Sequence, residues 1–460
     1  MATSNLGRSY TVHGGDERMA SHTKHLSFFG ATVMAFACAI LLAAQSALAL
    51  DISFRSFSGS AAIGPPADEY AAKLLSISTT VLGKAGEVKF TKYTPTPAIP
   101  KKFKDIVAAV GAGGPLAGGK GFDAAYISGS DLNPAWGFIY NSAVPFGPNF
   151  DEFIGFLYGK SIEGTESGLD LLRQILDKSG KNVVAVPIVG SSQQGSGYFM
   201  LPIGNVGSTA GVGLAGLCQQ NWTFRYLPPA QYVLDRACDN LVAGGVIPKK
   251  NIKFITAIAG GGSLVKAVVD GQIQAYEFAT PLDDFSQLFG LPEGNPGTVG
   301  TRYLHFPGWH QQFLITYMII NKSVWNKLSP AQQALVMSVG RDHVLSSYGE
   351  NLRQQGAKLK QILTANDADK NPDNDLELVQ WPQSDLALLR DATIQFLNAR
   401  ISNVTLSEQD RKDYGKILES LRKYVSSNNG YWKVREVPSA LRFQGWYDPD
   451  GKKSWDQTLK

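Results

Sequence analysis

The sequence predicts an α/β fold of two lobes with a ligand cleft between them, and three observations carry that expectation. At 460 residues the chain is too long for one ordinary core. Short β-branched runs alternate with amphipathic helical stretches along most of its length. In the stretch from Ala267 to Pro281, a helix ends at Asp270-Gly271 and an Ile-x-Ala strand then delivers Glu277 to its far end. Open α/β sheets hold their ligands at such strand ends.

The first 49 residues read as an export leader. A weakly basic stretch ending in Lys24-His25 precedes the apolar run Leu26 to Leu42 and the cleavage pattern Ser46-Ala47-Leu48-Ala49. Cleavage near Ala49 starts the mature chain at Leu50 or Asp51; the apolar run is short for an uncleaved span. Formal net charge is +4, the leader contributes little of it, and no Lys/Arg run forms a basic face, which argues against a nucleic-acid partner.

Export gives the cysteines meaning, since an oxidising compartment permits Cys218 and Cys238 to pair. Two separate buried thiols are the alternative. Cleavage leaves only His305, His310 and His343, too little for a zinc cluster or a Cys/His nucleophile pair. No G-x-S-x-G elbow is present, which argues against a secreted hydrolase.

In order, strands are expected at 51–54, 88–93 and 122–127, with helices at 67–77 and 102–110. The glycine-rich connection from Gly111 to Gly121 is one residue short of a phosphate-binding loop and lacks its Ser or Thr, so a mobile loop and no nucleotide are expected. The acidic run from Asp367 to Asp375 has Pro372 where a calcium loop needs glycine, and reads as a solvated connector. A buried strand from Lys181 is expected to end at Pro187. A polar turn carrying Gln194 follows, and then a short strand places Arg225 before a proline stop and the helix 231–243. Ser329-Pro330-Ala331-Gln332 reads as a capping box, and the helices 384–400 and 407–425 carry apolar stripes that must be covered.

Taken together, Gln194-x-x-Gly-Tyr-Phe, Arg225-x-x-Pro, Asp270-Gly271 to Glu277 with Pro281, Pro307-Gly308-Trp309-His310 and Met318 to Ser329 fall in a distinctive order. Asp123-Ala-Ala-Tyr126 and Ala143-Val-Pro-Phe-Gly147 precede them. In this the chain resembles the extracytoplasmic solute-binding proteins of TRAP (tripartite ATP-independent periplasmic) transporters, over roughly Asp51 to Trp432. The branch it looks most like binds 2-oxo or 2-hydroxy monocarboxylates together with a metal cation.

The resemblance implies the periplasmic binding protein fold, a periplasmic location, membrane permease partners, a small organic acid as ligand, and sodium or calcium bound with it. It implies lobe I over 50–190 with 314–360 returning, lobe II over 191–313 with the helices of 361–425, and a tail over 426–460. A homodimer through C-terminal helices is open, and so is a sensor that hands its ligand state to a membrane receptor. By the same resemblance Arg225 holds the substrate carboxylate, and Gln194 contacts carboxylate and cation. Glu277 and the Phe278 carbonyl complete the cation site, and Trp309, His310 and Gln311 lie near the cleft. Phe278 stands where the branch usually has tryptophan, and the stretch Leu201 to Gln219 is an insertion. Arg225 could instead pair with Asp235 or Asp239, Glu277 could cap the helix after Pro281, and Trp309 could be core.

Overall fold

The computed structural model describes residues 48–56, 64–92, 103–113, 123–141, 143–159, 166–226, 228–255, 258, 262–285, 288, 303–363 and 376–435. The expected leader, most of the glycine-rich connection and the acidic connector lie outside them.

Two sheets form two lobes. The first has the order β2-β1-β3-β10-β4, built from β1 (Leu50–Ser56), β2 (Val88–Lys92), β3 (Ala124–Ser128), β4 (Val183–Ser191) and β10 (Leu314–Asn321). The second has the order β11-β9-β5-β8-β6-β7, from β5 (Gly197–Phe199), β6 (Thr223–Arg225), β7 (Lys253–Phe254), β8 (Ala275–Tyr276), β9 (Tyr303–Phe306) and β11 (Glu377–Gln380). In the first sheet β10 runs antiparallel to its neighbours, and in the second β5 does. These are the two strands entered directly after the chain crosses between lobes, at 192–196 and 307–313.

The expected end of β4 at Pro187 is corrected: the strand runs on to Ser191. Pro187 sits opposite Tyr317 where the register with β10 shifts. A proline lacks the ladder N–H, and a bulge is where a sheet tolerates that loss.

In the second lobe Cys218 and Cys238 form a disulfide between the Gly213–Gln219 and Ala230–Ala243 helices. The two cysteines are 20 residues apart in sequence, and closing such a loop contributes about 3 kcal/mol in the chain-entropy model. Leu214 and Leu217 of the insertion join Phe199, Phe224 and Leu234 in one core. The Leu214 N–H is capped by Asp385 Oδ2 at 2.8 Å.

The Pro330–Leu363 helix begins with the expected box: Ser329 N–H donates to Gln332 Oε1 at 2.9 Å and Gln332 N–H to Ser329 Oγ at 3.3 Å. Val336, Val339 and Val344 pack in the first lobe, whereas Ile362 lies in a second-lobe core with Leu264 and Tyr276. The Gln383–Ile401 helix stays on the second lobe through Leu389 and Ala392. The Glu408–Arg435 helix does not, which corrects the expected assignment of 361–425 to that lobe. Tyr414, Ile417, Leu418 and Leu421 bury against Phe153, Phe156 and Leu172 of the first. Residues at that spacing share one helix face, and the helix continues to Arg435, past the expected start of a tail at 426.

Candidate functional site

Arg225 and Glu277 sit at the carboxyl ends of β6 and β8, which run parallel with Arg225 beside Tyr276. The Glu277 N–H extends the ladder to Arg225 O at 3.2 Å. Both side chains are buried and pair with each other: Arg225 Nη1 donates to Glu277 Oε1 at 2.9 Å and to its backbone oxygen at 2.8 Å. Arg225 Nε donates to Ile258 O at 3.3 Å, while Nη2 has no partner among the described residues.

The alternative pairing of Arg225 with the next helix is thereby set aside. Asp235 and Asp239 hold Lys250 Nζ, at 2.6 and 2.7 Å, and not Arg225. The turn after Glu277 is capped from within, by Asp284 Oδ1 accepting from Ala279 N–H at 3.1 Å. A buried ion pair is retained only when each charge keeps a partner, because desolvating one alone is costly.

A second cluster lies on the crossing segments. Gln194 Nε2 is 2.5 Å from His310 Nε2 and donates to Gln311 Oε1 at 3.2 Å. Burial pushes the His310 imidazole down to about 3, so the ring is neutral. With Nε2 accepting from Gln194, the proton is on Nδ1, and that buried N–H has no partner among the described residues. Gln311 Nε2 donates to Asn141 O at 3.0 Å and Phe146 N–H to Trp309 O at 2.8 Å, tying the cluster to the first lobe. Gly308 is required here: a Cβ at that position would lie 2.0 Å from Gln194 O.

Tyr226 joins the two clusters. Its ring centroid is 6.1 Å from that of His310, and its hydroxyl donates to Ser196 O. Burial, and then the charge of Glu277, raise its phenol well above the ordinary value. Nothing in the sequence singled out this tyrosine, although it directly follows Arg225. Tyr198, on β5, is buried as well. It stacks on Tyr276 at 5.0 Å and also donates to Asp284 Oδ2 at 2.7 Å.

Trp309 is core: it is buried, stacked on Phe146 at 5.9 Å, and its indole N–H has no partner among the described residues. The Phe278 ring packs half-buried against the core of Leu264, Val268 and Tyr276. Glu277, the Gln194 and Gln311 amides and the Phe278 carbonyl offer oxygen ligands, which suit a hard cation such as sodium or calcium. Among the described residues there is no cluster of three or more His, Cys, Asp or Glu that could hold a metal ion. A cavity of about 640 Å³ lies elsewhere, on the first lobe between Gly111, Asp131, Lys181 and Lys322, and no expected site residue lines it.

No family model matches the sequence. Among solved structures the chain is similar to a TRAP transporter solute binding protein from Bordetella bronchiseptica RB50, a mixed-occupancy dimer with copurified calcium and picolinate bound. That match has 16% identity, covers 84% of this chain and 94% of the other, and has a TM-score of 0.60. A TRAP periplasmic solute binding protein from Pseudoalteromonas atlantica T6c, with bound sodium and pyruvate, matches at 15% identity over 83% and 96% with a TM-score of 0.58. One from Colwellia psychrerythraea, with bound calcium and pyruvate, matches at 14% identity over 83% and 95% with a TM-score of 0.59. The likeness establishes the fold: the chain has the two-lobed α/β architecture of these solute-binding proteins.

Proposed function

We propose that the chain is the extracytoplasmic solute-binding protein of a TRAP transporter, which captures a small 2-oxo or 2-hydroxy carboxylate with a cation and delivers it to a membrane permease. The observation that carries this reading is the buried Arg225–Glu277 pair at parallel strand ends, beside a neutral histidine whose N–H has no partner among the described residues. The structural neighbours with bound pyruvate or picolinate and sodium or calcium support it. They also support a periplasmic location.

A carboxylate paired with a cation can enter this ion pair without leaving any charge alone. The carboxylate goes to Arg225 and the His310 Nδ1–H, and the cation goes to Glu277, the Phe278 carbonyl and the Gln194 and Gln311 amide oxygens. Each buried charge exchanges one opposite partner for another, so the desolvation cost is not incurred a second time. Closing the lobes excludes water and strengthens every polar contact inside. No chemistry on the solute is involved. A homodimer is part of the same reading, the Bordetella bronchiseptica protein being a dimer.

Thermal melting with a panel of 2-oxo, 2-hydroxy, dicarboxylic and aromatic acids tests the proposal, with sodium or calcium present and after chelation. A ligand that binds only the folded state raises the melting temperature by mass action. A rise with monocarboxylates, dependent on cation and absent in Arg225→Ala, is expected. No rise with any acid overturns the reading.

A further inference from the structure

The connection from β8 to the Pro281–Asp284 turn carries Glu277 and Phe278, and their two backbone oxygens differ. Glu277 O is taken by Arg225 Nη1 at 2.8 Å. Phe278 O accepts from no donor among the described residues. A backbone oxygen in that condition keeps both lone pairs for a hard cation.

The direction of that oxygen is set from the other side of the same amide. The N–H of the 278–279 peptide belongs to Ala279 and donates to Asp284 Oδ1 at 3.1 Å. This peptide is trans. A trans peptide is planar with its N–H and C=O pointing opposite ways, so holding the N–H on Asp284 turns the Phe278 carbonyl away from it.

Asp284 is itself held firmly. It is buried, its Oδ2 accepts from the Tyr198 hydroxyl at 2.7 Å, and its own N–H donates to Thr280 O at 2.8 Å. Tyr198 in turn stacks on Tyr276, the residue before Glu277, with ring centroids 5.0 Å apart. A carboxyl group accepting the Ala279 N–H also polarises the amide and adds electron density to its oxygen, because hydrogen bonds in series strengthen one another in a low-dielectric interior.

We infer that Asp284 is a positioning residue of the cation site: it aims and polarises the Phe278 carbonyl without touching the ion. The inference rests on the clamp reading above, which makes that carbonyl a ligand, and adds the group that holds the ligand from behind. Removing such a group weakens metal binding by about 10- to 100-fold.

The test is calorimetric titration with calcium and with sodium, with pyruvate in excess, or another acid of the panel where pyruvate does not bind. Asp284→Ala is expected to weaken cation binding by about tenfold or more. Asp284→Asn is expected to restore most of the loss, since it keeps an oxygen for the Ala279 N–H and turns its amide to the Tyr198 oxygen. Gln355→Ala is the control for general loosening: it removes the acceptor of the Leu282 N–H, bonded at 3.0 Å on the same connection, and leaves the 278–279 peptide alone. Its cation affinity is expected to be unchanged. Should Asp284→Ala not fold, Tyr198→Phe, which withdraws the hydroxyl that holds Asp284, carries the same comparison.

A spectroscopic reading is independent of stability. Phe-Ala occurs in the sequence only at 36–37 and 278–279. With carbonyl-labelled Phe and nitrogen-labelled Ala, the peptide signal that Ala279→Gly removes therefore belongs to 278–279. Its carbonyl resonance is expected to move when the cation is added, and its amide proton to move upfield in Asp284→Ala. Unaltered cation affinity in Asp284→Ala, equal losses in Asp284→Ala and Gln355→Ala, or a carbonyl resonance that stays put as the cation binds overturns the role of Asp284 and leaves the clamp standing. If no carboxylate binds with either cation, the clamp fails and this inference with it.

Discussion

The two halves of the candidate site are prepared differently for a ligand. Arg225 and Glu277 are already each other's partner, bonded at 2.9 Å in a buried setting. The Gln194–His310–Gln311 cluster is incomplete: its histidine is neutral and keeps an N–H without a partner among the described residues. The first half stores its charges safely and must be opened; the second holds a donor ready and need only be met. Affinity in such a site depends on what the ligand gives back to the pair, more than on the number of contacts it adds.

Four experiments sharpen this contrast. Arg225→Ala has the largest expected effect, because it leaves Glu277 buried without its cation. A loss of about 3–5 kcal/mol in urea unfolding is expected, with the double variant Arg225→Met/Glu277→Leu recovering most of that stability but no ligand response. If the single variant unfolds like the unaltered protein, the pair is not the stored element described here.

For the second half the lever is pH. The His310 pKa lies at about 3 in the folded protein against 6.5 as its ordinary value, so the unfolded chain binds the extra proton. Its contribution to stability is complete above 6.5 and is lost as pH falls from there towards 3. At pH 5 that loss is about 2 kcal/mol for one such histidine. Stability curves of His310→Gln should therefore fall less steeply below 6.5; parallel curves would remove His310 from the account. His305, also lowered to about 3 by burial, retains its share in both proteins.

Gln311→Ala removes the amide that donates to Asn141 O, and about 1 kcal/mol of stability is expected to go with it, together with a weaker response to cation in melting. Phe278→Trp is expected to have the smallest effect. A cation that uses the backbone carbonyl of that residue should bind within about twofold of its original affinity, read by cation titration with the acid in excess.

Much of the fold was legible because local chemistry announces it. The glycine after Asp270 adopts a φ of 71°, and Ser329 and Gln332 make both bonds of their box. The misplaced end of β4 shows where local reading stops: Pro187 is allowed only because β10 is out of register beside it, which no residue near Pro187 declares. The apolar stripe of Tyr414, Leu418 and Leu421 told that a face is buried, without saying on which lobe. The Arg225–Glu277 pair joins residues 52 positions apart through strand order, and strand order is a property of the whole sheet.

The Pro330–Leu363 helix, 34 residues and about 51 Å long, is anchored in a different core at each end. A widening of the cleft must therefore flex a continuous rod or draw Ile362 out of its packing. Gly349 and Gly356, which face open space, lie in the span between the anchors and are its most pliable points. Such a rod acts as a leaf spring, and the breathing of the two lobes is limited by its bending stiffness as much as by the contacts across the gap.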